Sequence, residues 1–339
     1  MSKNQKTIFV DGLPLVDGFF TGIGQYTLGI MRGFDEIIAE QISKGEEPLR
    51  VRVVLPRDGV KKFLKFQFRN IDYVRLPIPH RYMAALWRRN LLPPLDLFLG
   101  SGIYLFMNFV SMRLAYSKSL VVIYDLSYEL HREYSDEGNA RFLSAAVERT
   151  VRGTDKIITI SQSAKREIVE VYGVKDSFVD VAYPAIDRSL LYRRTDEEIR
   201  KVKEKYRLGS GKYILALSSL EPRKNLVTLV DAYCALPKSI RAEYALLLVG
   251  VNGWKIDKLF DHIIDKVKKG HNITRPSKYI DDKDKPAILS GASVLVYPSH
   301  YEGFGMPHLK RLHAARRLSR PTTRLCPKLS EMLGLCWTA

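Results

Sequence analysis

Seven short apolar runs rich in β-branched residues punctuate this chain: TIFVD (7–11), RVRVVL (50–55), VVIYD (121–125), KIITI (156–160), YILALS (213–218), ALLLVG (245–250) and SVLVYP (293–298). Amphipathic stretches separate them, and that alternation is the signature of βαβ units building a mostly parallel sheet. After VDVAYPAID (179–187) the pattern pauses in the charged stretch YRRTDEEIRKVKEKYRLGSGK and then restarts. A domain boundary is therefore expected near residue 188. The fold class that follows is α/β, with two doubly wound domains whose ligands sit in the crevice at the carboxyl ends of the strands. There is no internal repeat and no low-complexity segment.

At 339 residues, 46% hydrophobic and 27% charged, the chain has the apolar content for two cores. No apolar run approaches the roughly 18 to 20 residues of a membrane span, and the N-terminus MSKNQKTIFVDG enters a strand without the apolar region of a signal peptide. A cytoplasmic location is expected. Cys234, Cys326 and Cys336 are odd in number and lack metal-ligand spacing, which argues against a disulfide framework and a zinc site and for free thiols. The formal charge of +17 implies an anionic partner, whether a phosphorylated substrate, an anionic membrane surface or nucleic acid. Residues 310–339, with seven Lys or Arg and one acidic residue, hold +6 of it.

Three places can carry chemistry. The first strand ends in Asp11, and the loop after it offers Gly12, Gly18, Gly22 and Gly24 ahead of a helix. Glycines there let backbone N–H groups approach a phosphate, which the helix dipole favours; a flexible βα connection would use the same glycines. YILALS runs into SLEPRKNLVTLVDAY, where a helix is expected to begin at Lys224 or Asn225. Arg223 and Lys224 there can grip a diphosphate or form a solvated pair, although cations at a helix N-terminus are unfavourable unless an anion joins them. Glu221 offsets part of that charge. SVLVYP runs into SHYEGFGMPHL, where Glu302 stands beside Gly303, Phe304 and Gly305. A carboxylate accepts hydrogen bonds from sugar hydroxyls, while the glycines fit either ligand contact or a structural turn.

SLEPRKNLVTLVDAY, ALLLVGVNGW and DDKDKPAILSGASVLVYPSHYEGFGMPHL, in that order, resemble the donor-binding half of glycosyltransferase family 4 (group 1), which has the GT-B fold. TGIGQYTLGI, YDLSYELHREY and IITISQSAKREIVEVYGV are similar to the glycine-rich loop, the acceptor-side segment and the strand–helix near the interdomain region of that family. The resemblance runs from about residue 7 to 309. It implies two Rossmann-like domains facing a cleft: 1–187 on the acceptor side, 188–309 for the donor and incomplete, and 310–339 an aberrant basic tail. It implies a retaining hexosyltransferase, mannosyltransferase-like, without metal or cofactor beyond its nucleotide-diphosphate sugar donor. The acceptor it implies is a glycan or lipid-linked acceptor of bacterial surface polysaccharide or lipopolysaccharide assembly, and no nucleic-acid partner is expected.

The family's roles fall on Arg223 and Lys224 for the diphosphate, and on Glu302 and the amides of Gly303, Phe304 and Gly305 for the donor sugar. Gly250 joins them on the donor side. Gly22 and Gly24 approach the reaction centre from the other domain, and Asp125 lies beside the acceptor and the transferred sugar. Tyr124 stands where many members carry His, and Ser218 and Ser219 where some carry another Arg.

The pattern implies a ribose-binding glutamate at position 310, where Lys310 stands, and nothing after it resembles the family. Synonymous codons for Lys310 onward, read one base earlier, permit Glu-Ala-Ile-Ala-Cys-Gly-Ala-Pro-Val-Val, which is the family run. A one-base loss at the Leu309/Lys310 junction is therefore expected, with impaired transfer by this chain; a genuinely divergent tail is the alternative. A non-catalytic nucleotide-sugar or anionic-membrane binding protein is the second class of function. Residues 60–92, with eight Lys or Arg among Phe, Tyr, Trp and Leu, suit a peripheral contact with the inner face of the cell membrane, or a core helix and strand with solvated charges.

Overall fold

The computed structural model describes residues 7–17, 21–88, 91–184 and 193–305. The chain divides into two compact units, one of residues 1–126 with 141–185, the other of residues 127–140 with 186–339. The segment 127–140 thus packs with the second unit although it lies within the first half of the chain.

The first unit is built on seven strands, β1 (Thr7–Asp11), β2 (Arg50–Leu55), β3 (Asp72–Arg75), β4 (Gly102–Phe106), β5 (Lys118–Ile123), β6 (Lys156–Thr159) and β7 (Val179–Val181). They lie in the order β3-β2-β1-β4-β5-β6-β7, and every pair is parallel. The strand order reverses between β1 and β4, which leaves a crevice beyond the carboxyl end of β1, where Asp11 and Gly12 lie. Four strands expected from the apolar runs are present, while β3, β4 and β7 lie in stretches the runs did not mark. β3 has no buried residue, so burial gave it no apolar pattern to read.

The second unit carries β8 (Lys212–Leu217), β9 (Tyr244–Val249), β10 (Ile273–Thr274) and β11 (Val294–Leu295) in the order β10-β9-β8-β11, again all parallel. Alternate side chains of β8 and β9 enter two cores on opposite faces. Tyr213, Leu215, Leu247 and Val249 pack on Tyr206, Ile288 and Leu289. Ala216, Leu246 and Leu248 pack on Leu226, Leu229, Val230 and Tyr233 of the helix Leu226–Cys234. The helix Asp196–Tyr206 opens this unit with a capping box: Thr195 Oγ accepts from the Glu198 amide at 3.2 Å, and Glu198 accepts from the Thr195 amide at 2.8 Å. The expected strand SVLVYP shortens to Val294–Leu295, and the rest of that run leads into the Glu302 loop.

Candidate active site

The second sheet reverses its order between β8 and β11, and the two segments leaving those strands supply the site. Residues 218–220 continue β8 beside residues 249–253: the amides of Ser218 and Leu220 donate to the carbonyls of Val249 and Val251, and the Gly253 amide donates back to Leu220. Gly250 is explained by this close approach, since a Cβ on it would lie 1.6 Å from the Ser218 carbonyl oxygen. Its glycine character is a packing requirement of the two backbones.

Arg223 and Lys224 lie in a single 3-10 turn, Pro222–Lys224, ahead of the helix that begins at Leu226. The helix start expected at Lys224 or Asn225 is displaced because Asn225, with φ of 53°, takes the left-handed conformation and serves as the N-cap. The turn folds both cations inward. Lys224 is 6% exposed, Glu221 4% and Glu302 9%, so three charged side chains share a buried space.

Their pairing is mutual. Lys224 Nζ donates to Glu302 Oε1 at 2.5 Å and to the Tyr297 hydroxyl at 3.3 Å, and lies 3.8 Å from Glu221 Oε1. Arg223 donates through Nη2 to Glu221 Oε1 at 2.9 Å and through Nη1 to the Tyr301 carbonyl at 3.2 Å, with Glu302 Oε2 3.5 Å away. The His300 amide returns a hydrogen bond to the Arg223 carbonyl at 3.0 Å, so the turn and the Glu302 loop are tied through main chain as well. Burial works to raise the Glu302 carboxyl, but the charges of Lys224 and Arg223 outweigh it and hold the group below the usual glutamate range. Burial and then the Glu302 charge push the Tyr297 phenol well above its ordinary value. The arrangement keeps an ionised acceptor beside two fixed cations in a low-dielectric setting, which suits charge developing on a phosphate leaving group.

Phe304 is 4% exposed and Gly303 and Gly305 are buried with it. Segment 127–140 braces the same loop. The Tyr134 ring stacks on His300 at 5.1 Å and 3°, and His131 lies 4.7 Å from the Tyr301 ring. Trp254 Nε1 donates to the Tyr134 carbonyl at 2.6 Å and Lys255 Nζ to the Ser135 carbonyl at 2.9 Å. The pairing of these residues is not legible in the sequence, because the contacts span more than a hundred residues. Tyr297 had a legible signal, since it continues the alternation two residues beyond Leu295.

Gly22, Gly24 and Asp125 belong to the first unit. Gly22 and Gly24 occupy the first turn of the helix Gly22–Ser43, whose N-cap Thr21 makes no side-chain cap, so first-turn amides lack an intrahelical partner. A Cβ on Gly22 would meet nothing within 4 Å. Gly18 falls outside the described residues. Asp125 is half-buried just past the end of β5. Beside it, Tyr124 is buried and its hydroxyl donates to the Met107 carbonyl at 2.8 Å, with Tyr26 packed edge-on at 5.5 Å. Asp11, 5% exposed, accepts from the Leu13 amide through Oδ1 at 3.0 Å, while Oδ2 has no hydrogen-bond partner. Burial pushes its carboxyl up to about 7.

Among the described residues no three His, Cys, Asp or Glu side chains gather as a metal site would require, and no helix is long and apolar enough to cross a membrane. Cys234 is a half-buried free thiol. Cys326, Cys336, Lys310 and the tail 310–339 lie outside the described residues.

Comparison with known proteins bears on this geometry. The family described as Glycosyltransferase Family 4 matches residues 32–190, and Glycosyl transferases group 1 matches residues 197–313. The O-antigen chain mannosyltransferase B of Escherichia coli is 29% identical over 195 residues, which are 58% of this chain and 50% of that protein. The serotype-specific mannosyltransferase WbdA of Escherichia coli is 27% identical over 201 residues, 58% of this chain and 24% of the relative. The chain thus spans half or less of these relatives' length. Two solved structures share the fold. Anabaena HepE in complex with UDP and glucose has a TM-score of 0.61 at 13% identity, covering 91% of this chain and 78% of that one. WaaG, a glycosyltransferase involved in lipopolysaccharide biosynthesis, has a TM-score of 0.60 at 15% identity, covering 91% and 79%. With the two family models matching residues 32–190 and 197–313, and GT-B glycosyltransferases as structural neighbours, the chain belongs to the group 1, family 4 glycosyltransferases.

Proposed function

We propose that this protein is a retaining glycosyltransferase that moves a hexose, mannose by its relatives, from a nucleotide-diphosphate donor to a glycan or lipid-linked acceptor in surface-polysaccharide assembly. The observation that carries the reading is the buried set Glu221, Arg223, Lys224 and Glu302 at the switch point of the second sheet. Arg223 and Lys224 neutralise the diphosphate as it leaves, and Glu302 accepts from donor hydroxyls. No metal and no cofactor take part. Gly22, Gly24 and Asp125 serve the acceptor side. The ribose contact is lost to Lys310, which impairs transfer by this chain and leaves binding without turnover as the second reading.

Donor hydrolysis and calorimetric binding across GDP- and UDP-sugars test both readings, with this chain compared against one restored to the shifted frame and carrying glutamate at 310. Turnover by the restored chain alone supports transferase and frame break together. Equal turnover by both overturns the assigned ribose contact, and absence of binding by both overturns the donor site.

The peripheral membrane reading rests on the first unit. In residues 60–92 the rings of Phe63, Phe66, Phe68 and Tyr73 pack on one another, whereas Leu64 at 56% and Tyr82 at 51% exposure stand beside exposed Lys61, Lys65 and Arg81. Apolar and cationic side chains presented together fit an anionic lipid surface.

A further inference from the structure

Glu221 has no task in the proposed transfer, yet it is the most buried of the four charges. It is 4% exposed, 2.9 Å from Arg223 Nη2 and 3.8 Å from Lys224 Nζ. With Glu302 it brings two cations and two carboxylates together, so the four side chains carry no net charge among them. A lone cationic pair would hold any diphosphate more tightly, and it would hold the product tightest. Breaking the sugar–phosphate bond leaves the nucleoside diphosphate with about one further negative charge on its terminal phosphate.

We propose that Glu221 is a positioning residue that sets the release of the nucleoside diphosphate: it competes with the phosphates for Arg223 and Lys224 and draws the cations back when transfer is complete. Three features support this. Glu221 caps the turn that carries the two cations, so its carboxylate is within reach of both when they are not drawn away. Its burial denies it water, so a cation drawn to phosphate leaves an uncompensated carboxylate behind, a cost that grows with the pull of the ligand. Glu302 does not duplicate the task, because its nearest cation is Lys224 at 2.5 Å whereas Arg223 is nearest to Glu221. This inference rests on the donor-site reading above.

The test is calorimetric binding of GDP and UDP, and of the matching nucleotide sugars, to the parent chain and the frame-restored chain, each with Glu221→Gln, Glu221→Asp or Glu243→Gln. Glu243, paired on the surface with Lys212 at 2.5 Å, controls for the change in net charge. The expected result is that Glu221→Gln tightens the nucleoside diphosphate about tenfold, and more than it tightens the nucleotide sugar. Glu221→Asp, which withdraws the charge by one methylene, falls between parent and Gln and supplies the comparison if the Gln variant does not fold. Glu243→Gln leaves binding as in the parent. Binding that is unchanged or weaker in the folded Glu221 variants overturns the proposal alone. A lack of nucleotide binding in every chain, parent included, overturns the donor-site reading and this proposal with it.

Discussion

Two buried carboxyls have opposite fates for physical reasons. Glu302 has cations on two sides and stays ionised; Asp11, driven by burial and then by the Asp17 charge, shifts toward its neutral form. For Glu302 the folded-state value lies below the unfolded one, so its stabilisation is present above the unfolded value near 4.5 and is lost as pH falls through the folded one. Replacing Lys224 by Met takes away the nearer of the two cations, and a loss of about 3 kcal/mol in urea unfolding is expected near neutral pH, shrinking in acid. Asp11 works the other way. Its value rises from 3.8 to about 7, so the fold loses stability as pH climbs through that window, by about 4 kcal/mol when complete. Asp11→Asn should flatten the dependence between pH 4 and 8; an unchanged slope would contradict the assignment.

At the level of elements, glycine explains two neighbourhoods differently. Gly250 lies where the segment after β9 runs against the segment after β8, and a methyl there has no room. Gly250→Ala is expected to cost about 3 kcal/mol and to lower the unfolding midpoint of the second unit. Gly22 has open space around it in the first turn of a 22-residue helix. Gly22→Ala should raise stability by about 0.5 kcal/mol, yet reduce sugar transfer in the frame-restored chain if the first-turn amides approach a ligand. Transfer that survives the substitution would make this glycine a helix-start residue only.

For the whole molecule, the charge of +17 makes a lipid contact testable without knowledge of the acceptor. Flotation with anionic vesicles at low salt, lost on Lys61→Glu with Lys65→Glu and lost again in high salt, is the expected pattern. Failure to float at low salt would remove the membrane partner from the reading.

Hydrophobic periodicity was enough to read the α/β class and a mostly parallel sheet, because that pattern is local and survives without coordinates. Ordered motifs were enough to name the family and to bring Arg223, Lys224 and Glu302 forward. Only the tertiary structure decided how those residues meet. Lys224 and Glu302 are 78 positions apart, and their 2.5 Å bond exists because β8 and β11 are neighbours. Other contacts between distant parts of the chain made Gly250 a packing glycine, grouped segment 127–140 with the second unit and set Tyr134 on His300. Those contacts depend on which distant segments lie side by side, and a pattern with a period of two residues carries no record of that.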